Sequence, residues 1–142
     1  TAGGMMTPEI IILGPHNTVA DALAELRDPD WVVSIAAQVF VAQPPLKAPT
    51  GKFLGTAHVQ RLLREVPSME LRHFLSNDPI VAPDATDRAV AELLARYDML
   101  AVAVCDEARQ LLGAVTIDDV LDRQLGTAWR QRNRPTAETR AS

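Results

Sequence analysis

The chain has 142 residues, 47% of them hydrophobic and 23% charged, which suits one compact domain or two small interlocked halves and excludes a largely disordered polypeptide. No stretch approaches the roughly 18 apolar residues needed to span a bilayer, and the start "TAGGMMTPEI" lacks the basic and apolar parts of a secretion signal, so no direct membrane insertion is expected. The net charge of −4 is uneven: residues 127–142 hold four arginines against Glu138, and the remaining chain is strongly acidic, a balance that argues against nucleic acid as a partner and for a solvated, flexible basic tail.

In chain order, residues 1–8 read as a flexible linker, followed by a short strand, "EIIIL" (9–13). The segment "TVADALAELRD" (18–28) places Val19, Ala22, Leu23 and Leu26 on one helical face, with Thr18 as N-cap and Asp21 three residues later. A valine-rich run, "AAQVFVA" (36–42), predicts a buried strand. The proline-rich "QPPLKAPTG" (43–51) predicts a stiff, protruding loop before "KFLGTAHVQRLLRE", read as strand and then helix. A connecting segment at 67–78 carries a short helical turn.

The design then repeats. A strand "PIVA" (79–82) precedes the helix "TDRAVAELLARYD" (86–98), in which Val90, Ala91 and Leu94 match the earlier apolar face. A second apolar strand, "LAVAVC" (100–105), leads through the turn "DEARQ" to "QLLGAVTIDDVLDRQ", a strand and a helix. The expected fold class is α/β (α+β), two β-α-β-β-α repeats at 9–66 and 79–126 packed as a pseudo-two-fold pair. Neither unit of about 60 residues buries enough apolar area alone. Cys105, the single cysteine, sits in a core strand and reads as an inert thiol. Trp31, Trp129 and Tyr97 read as packing residues. Scattered histidines and the absence of nucleophile, phosphate-loop or metal-protease motifs argue against an enzyme.

Within the repeat, "LLGAVTIDDVL" (111–121) echoes "FLGTAHVQRLL" (53–63), with glycine and the apolar spacing in register. The polar residues are exchanged: His58, Gln60 and Arg61 stand where the second copy has Thr116, Asp118 and Asp119. Thr116 and Asp119 alone fit two readings, a helix cap and a ligand site at a strand-to-helix junction whose free N–H groups favour anions.

The β-α-β-β-α repeat with G-x-x-T-x-x-D at its second helix resembles the tandem cystathionine-β-synthase (CBS) domain. More narrowly, "TAGGMMTPEI", "TVADALAEL", "YDMLAVAVCDE" and "LLGAVTIDDVL" are similar to the CBS pair of the MgtE magnesium-transporter family and its soluble bacterial relatives. The resemblance implies a cytoplasmic regulatory module, following an MgtE-type N-terminal helical domain, so that a chain starting at "TAGG" reads as a fragment. It also implies an adenine nucleotide (ATP, ADP or AMP) in a cleft between the halves. Thr116 would face the phosphates, Asp119 would accept from the ribose hydroxyls, and backbone at Ile80, Val81, Leu100 and Ala101 would line the adenine. Ala103 departs from the family's usual proline. Arg61 cannot accept from a ribose hydroxyl, so the first copy is either degenerate or a source of cationic contacts, with Arg61 in a surface ion pair or meeting a phosphate across the cleft.

The family also implies Mg²⁺ sensing through acidic side chains. The candidates are Asp98, Asp106, Asp118 and Asp122, beside Glu107 and Asp119, with a solvated acidic face as the alternative. Transporters of the family continue into an acidic connecting helix after the position of residue 123, where this chain turns basic. A homodimer is expected, through helix faces ending at Leu62 and Leu121. The alternative to a sensor is a ligand-free dimerisation scaffold for a neighbouring domain.

Overall fold

A computed structural model describes residues 1–123; the basic tail and Trp129 lie outside the described residues. Among the described residues no helix is long and apolar enough to cross a membrane. The first repeat comprises β1 (Ile12–Leu13), α2 (Val19–Leu26), β2 (Gln38–Ala42), β3 (Phe53–His58) and α3 (Val59–Leu62), preceded by α1 (Ala2–Met5). The second comprises β4 (Ile80–Val81), α4 (Asp87–Arg96), β5 (Ala101–Cys105), β6 (Leu111–Thr116) and a last helix, α5, covering 117–123 of the described chain. Each builds one three-stranded sheet, β1-β2-β3 or β4-β5-β6, with its first pair parallel and its second antiparallel. Even the irregularity is copied: the register shifts between Val41 and Ala42 and again between Val104 and Cys105.

The helices start where their caps dictate. At α2, the Asp21 N–H donates to the Thr18 hydroxyl and the Thr18 N–H returns a bond to the Asp21 carboxylate, closing a capping box. These bonds hold the Asp21 pKa below the usual carboxylate range. Helix α4 uses Thr86 similarly, accepting from the Ala89 N–H, and ends with Asp98 at φ 53°. There the Met99 N–H reaches the Leu94 carbonyl and the Asp98 N–H the Ala95 carbonyl, a left-handed helix stop that aspartate tolerates.

Strand alternation joins the halves. Ala101, Ala103 and Cys105 of β5 belong to the cluster that contains Phe40, Phe53 and Leu62 of the first repeat, whereas Val102 and Val104 face Val90 and Leu94 of their own helix. Sheets buried on both faces therefore share one body. Burial pushes the Cys105 thiol up to about 11, which keeps it protonated near neutral pH.

Two expectations are corrected. "TAGG" is helical rather than a flexible linker: Ala2 is fully buried, and the Ala2 and Gly3 N–H groups donate to the Ala85 and Pro83 carbonyls of the second repeat. The loop 43–51 is pinned to the second repeat rather than protruding. Thr50 is fully buried, its N–H donates to the Leu111 carbonyl, and its hydroxyl accepts from the Leu111 N–H.

The glycines that keep register across the repeats have a tertiary reason. Thr7, ahead of the first repeat, exchanges both backbone bonds with Ala114 of β6, at 2.9 and 3.0 Å; Ser76, ahead of the second, does so with Thr56 of β3, at 2.8 and 3.1 Å. A Cβ on Gly113 would stand 2.6 Å from the Thr7 carbonyl oxygen, and one on Gly55 3.0 Å from that of Ser76. Each repeat thus receives the leading segment of the other on its sheet edge.

Candidate functional site

That exchange creates two related clefts between the halves. In the larger, of about 620 Å³, the β6–α5 junction with Thr116, Asp118 and Asp119 faces the α2–β2 segment of the first repeat (Trp31, Ser34), with Thr7 and Glu9 between them. In the smaller, of about 290 Å³, the β3–α3 junction with His58 faces the α4–β5 segment (Tyr97, Leu100), with Asp78 between them. The six residues expected around a nucleotide are therefore not brought together. Thr116 and Asp119 line the larger cleft, Leu100 and Ala101 the smaller, and Ile80 and Val81 a third hollow beside Asp84 and Glu107. The expectation put the cleft between the halves but drew all six residues from the second repeat; the pseudo-two-fold sets each junction against the other repeat's helix-to-strand loop.

Thr116 is the N-cap of α5, its hydroxyl accepting from the Asp119 N–H at 3.2 Å. The cap is only half a box. Unlike Asp21, Asp119 returns no bond, and among the described residues its half-buried carboxylate has no hydrogen-bond or ion-pair partner. The anion-binding potential of the helix start is partly spent, since the Ile117 N–H already donates to the Leu100 carbonyl. Across the cleft, the Ser34 hydroxyl donates to Asp118 at 2.9 Å and ties the two walls, and the buried Trp31 indole N–H has no acceptor among the described residues. Sequence reasoning missed Thr7, Glu9, Trp31 and Ser34 as cleft residues; the signal available was their position ahead of, or between, the elements of the first repeat.

The smaller cleft is closed on itself. His58 Nε2 lies 2.6 Å from Asp78, which also accepts from the Ser76 hydroxyl at 2.5 Å. Arg61 pairs with Glu65 and stacks over Phe74, 5.4 Å from the ring centre, and does not line this cleft. Tyr97, expected to pack, is 54% exposed at this cleft's rim.

The four aspartates proposed for Mg²⁺ are dispersed. Asp98 stops α4, Asp106 accepts from the Gln110 N–H in the β5–β6 turn, Asp118 holds Ser34, and Asp122 is exposed on α5. Among the described residues no three His, Cys, Asp or Glu side chains are grouped to hold a metal ion. The donor set does not fit a metal held by protein ligands alone.

The CBS-domain family model matches residues 71–126, which include the second repeat. The magnesium transporter MgtE of Thermus thermophilus is 30% identical over 122 residues, covering 85% of this chain and 26% of that protein. The chain is also similar to the crystal structure of the cytosolic domain of the Mg²⁺ channel MgtE in complex with ATP, at 31% identity and a TM-score of 0.74, covering 86% of this chain and 48% of that one. It is similar as well to the soluble part of a magnesium transporter, at 28% identity and a TM-score of 0.75, covering 90% and 48%. The chain thus spans about a quarter of the length of its curated MgtE relatives. By fold, repeat and sequence, it is a CBS-domain pair homologous to the cytosolic region of the MgtE magnesium transporters.

Proposed function

We propose that the chain is a regulatory CBS-pair module that binds an adenine nucleotide in the cleft carrying Thr116 and Asp119, within a longer protein linked to magnesium transport or homeostasis. The observation that carries this reading is the unpartnered Asp119 carboxylate facing a 620 Å³ cleft, where a capping role alone would have folded it back onto the Thr116 N–H. A carboxylate is the group that accepts from both hydroxyls of a ribose. The similar MgtE structure in complex with ATP supports the ligand class, and the MgtE relatives, of which the chain covers about a quarter, support the link to Mg²⁺, a cytoplasmic placement and a longer parent protein, to which the proposal adds a preceding N-terminal helical domain.

The test is a thermal melt with ATP, ADP and AMP, each with and without Mg²⁺, repeated on Asp119→Ala. A ligand at 100 times its Kd adds about 2.7 kcal/mol, a rise of several degrees. Flat melts for all three nucleotides would sink the sensor reading.

Homodimerisation is part of the proposal. Leu62 is fully buried in the core, contrary to expectation, whereas Leu63 is 70%, Val66 58% and Leu121 44% exposed. These exposed apolar side chains are the ones the proposal assigns to contact with a second copy. Sedimentation equilibrium of Leu63→Asp with Leu121→Asp should show a monomer where the parent chain is dimeric.

A further inference from the structure

We infer that the connection between α2 and β2 is a gate over the larger cleft, tethered shut by the Ser34–Asp118 hydrogen bond. The two copies differ in the length of this connection: eleven residues, 27–37, join α2 to β2, whereas four, 97–100, join α4 to β5. The short one is fixed at once, by the helix stop at Asp98 and by the Leu100 carbonyl, which accepts from the Ile117 N–H. The long one lays Asp28, Asp30, Trp31, Val32 and Ser34 along the larger cleft. A connection longer than its fold needs, placed over a cleft, is where lids are built.

Its hold on the rest of the molecule is slight. The backbone N–H bonds of residues 28–36 reach no farther than the end of α2; the Trp31 N–H donates to the Asp28 carbonyl at 3.3 Å, and the Ile35 and Ala36 N–H groups to the Val32 carbonyl at 3.0 and 2.9 Å. The Gln38 side chain donates to the Ser34 and Ile35 carbonyls at 2.9 and 3.2 Å, which anchors the end nearest β2 and leaves Asp28 to Val33 as the part that swings. In that part Val32 is 59% and Val33 83% exposed, so neither adds to the core. Trp31 does pack against the core, yet its buried indole N–H has no acceptor among the described residues, a cost borne by the closed position and relieved in one open to water. To the second repeat the segment makes, among the described residues, one hydrogen bond, from the Ser34 hydroxyl to Asp118. A single such bond contributes little net stability, so the closed state exchanges readily with an open one. Opening widens the cleft and turns the Asp118 carboxylate free towards it. The movement belongs to the unliganded chain, and only its bearing on ligand entry rests on the nucleotide reading above.

Hydrogen exchange of the whole unliganded chain, followed by NMR, tests the gate. A Trp129→Phe background leaves Trp31 as the sole indole signal. The Trp31 indole N–H and the Ile35 and Ala36 amides should exchange about tenfold or more faster than the Phe40 amide of β2. Ser34→Ala should speed those three by about a further fivefold, the effect of one lost hydrogen bond, and leave Phe40 and Val90 unchanged. Asp118→Asn keeps an acceptor for the Ser34 hydroxyl and should match the parent, whereas Asp118→Ala should match Ser34→Ala. Exchange at Trp31 as slow as at Phe40, no change in Ser34→Ala, or an acceleration shared by Phe40 would overturn the inference. Asp118→Asn behaving as Asp118→Ala would overturn the hydrogen bond as the tether. Expected exchange in a chain whose melts are flat with every nucleotide would uphold the gate and remove only the ligand reading of the cleft.

Discussion

The two strand-to-helix junctions of this molecule share a backbone and differ in what their side chains do with it. At β3–α3, His58 caps nothing and instead pairs with Asp78, and Arg61 turns away to Glu65 and Phe74, so the polar groups of the first copy satisfy one another. At β6–α5, Thr116 caps the helix and Asp119, among the described residues, is left unpartnered towards a cleft about twice as large. A duplicated frame can thus be retained for packing in both copies while only one keeps unspent hydrogen-bonding capacity. That capacity, rather than the motif itself, separates a binding junction from a structural one.

Four tests would break or sharpen the contrast. The largest effect is expected in the shared core: Leu62→Ala should cost about 2–5 kcal/mol, whereas the adjacent Leu63→Ala should lie within about 0.5 kcal/mol of the parent chain, measured by urea denaturation at a protein concentration low enough for both to be monomeric. Equal costs would mean that α3 is rotated from the orientation described. Next, Gly113→Val should cost about 1–3 kcal/mol, because its Cβ meets the Thr7 carbonyl, which is backbone and cannot swing aside. Faster amide exchange at Thr7 and Ala114 would locate the damage at the crossing segment.

The third test divides capping from binding. Thr116→Val should lose about 1 kcal/mol without any ligand, as expected for a lost N-cap, whereas Asp119→Ala should leave the unliganded midpoint unchanged and abolish the nucleotide-induced rise. A large unliganded loss in Asp119→Ala would return that carboxylate to a structural role and make the two junctions alike.

The smallest effect is electrostatic. Glu70 accepts from Arg72 and contacts His16 at 3.0 Å, and these partners hold its pKa down to about 2 against 4.5. A depressed carboxylate contributes stability that is complete above pH 4.5 and disappears as the pH falls through about 2. Glu70→Gln should therefore flatten that stretch of the stability curve, only slightly since the group is solvent-exposed, and leave the curve unchanged in shape above pH 5.

Much of the fold was legible in the chain because its signals are local. Apolar faces at Val19 and Ala22, and at Val90 and Leu94, marked the helices; threonine caps marked their starts; "QVFVA" and "AVAVC" marked strands buried on both faces. Thr116 and Asp119 were legible as a pair because strand-to-helix junctions carry unpaired N–H groups wherever they occur. What faces them was not, since a cleft between repeats is walled by residues far apart in sequence: Ser34 reaches Asp118 across 84 positions. The loop 43–51 misled for the same reason. Its prolines argue for stiffness, and nothing local says that Thr50 will be buried under Leu111.

The sequence by itself determined the repeat, the order of its elements, the caps and the exchange of polar residues between copies, because periodicity and capping act over a few residues. Only the tertiary structure decided that each leading segment crosses to the other repeat, that the conserved-in-register glycines exist for that close approach, and that Asp119 opens onto the first repeat's loop rather than its own. Those outcomes depend on how two half-stable units bury their remaining apolar faces against each other, a global minimisation that no short window of the chain encodes.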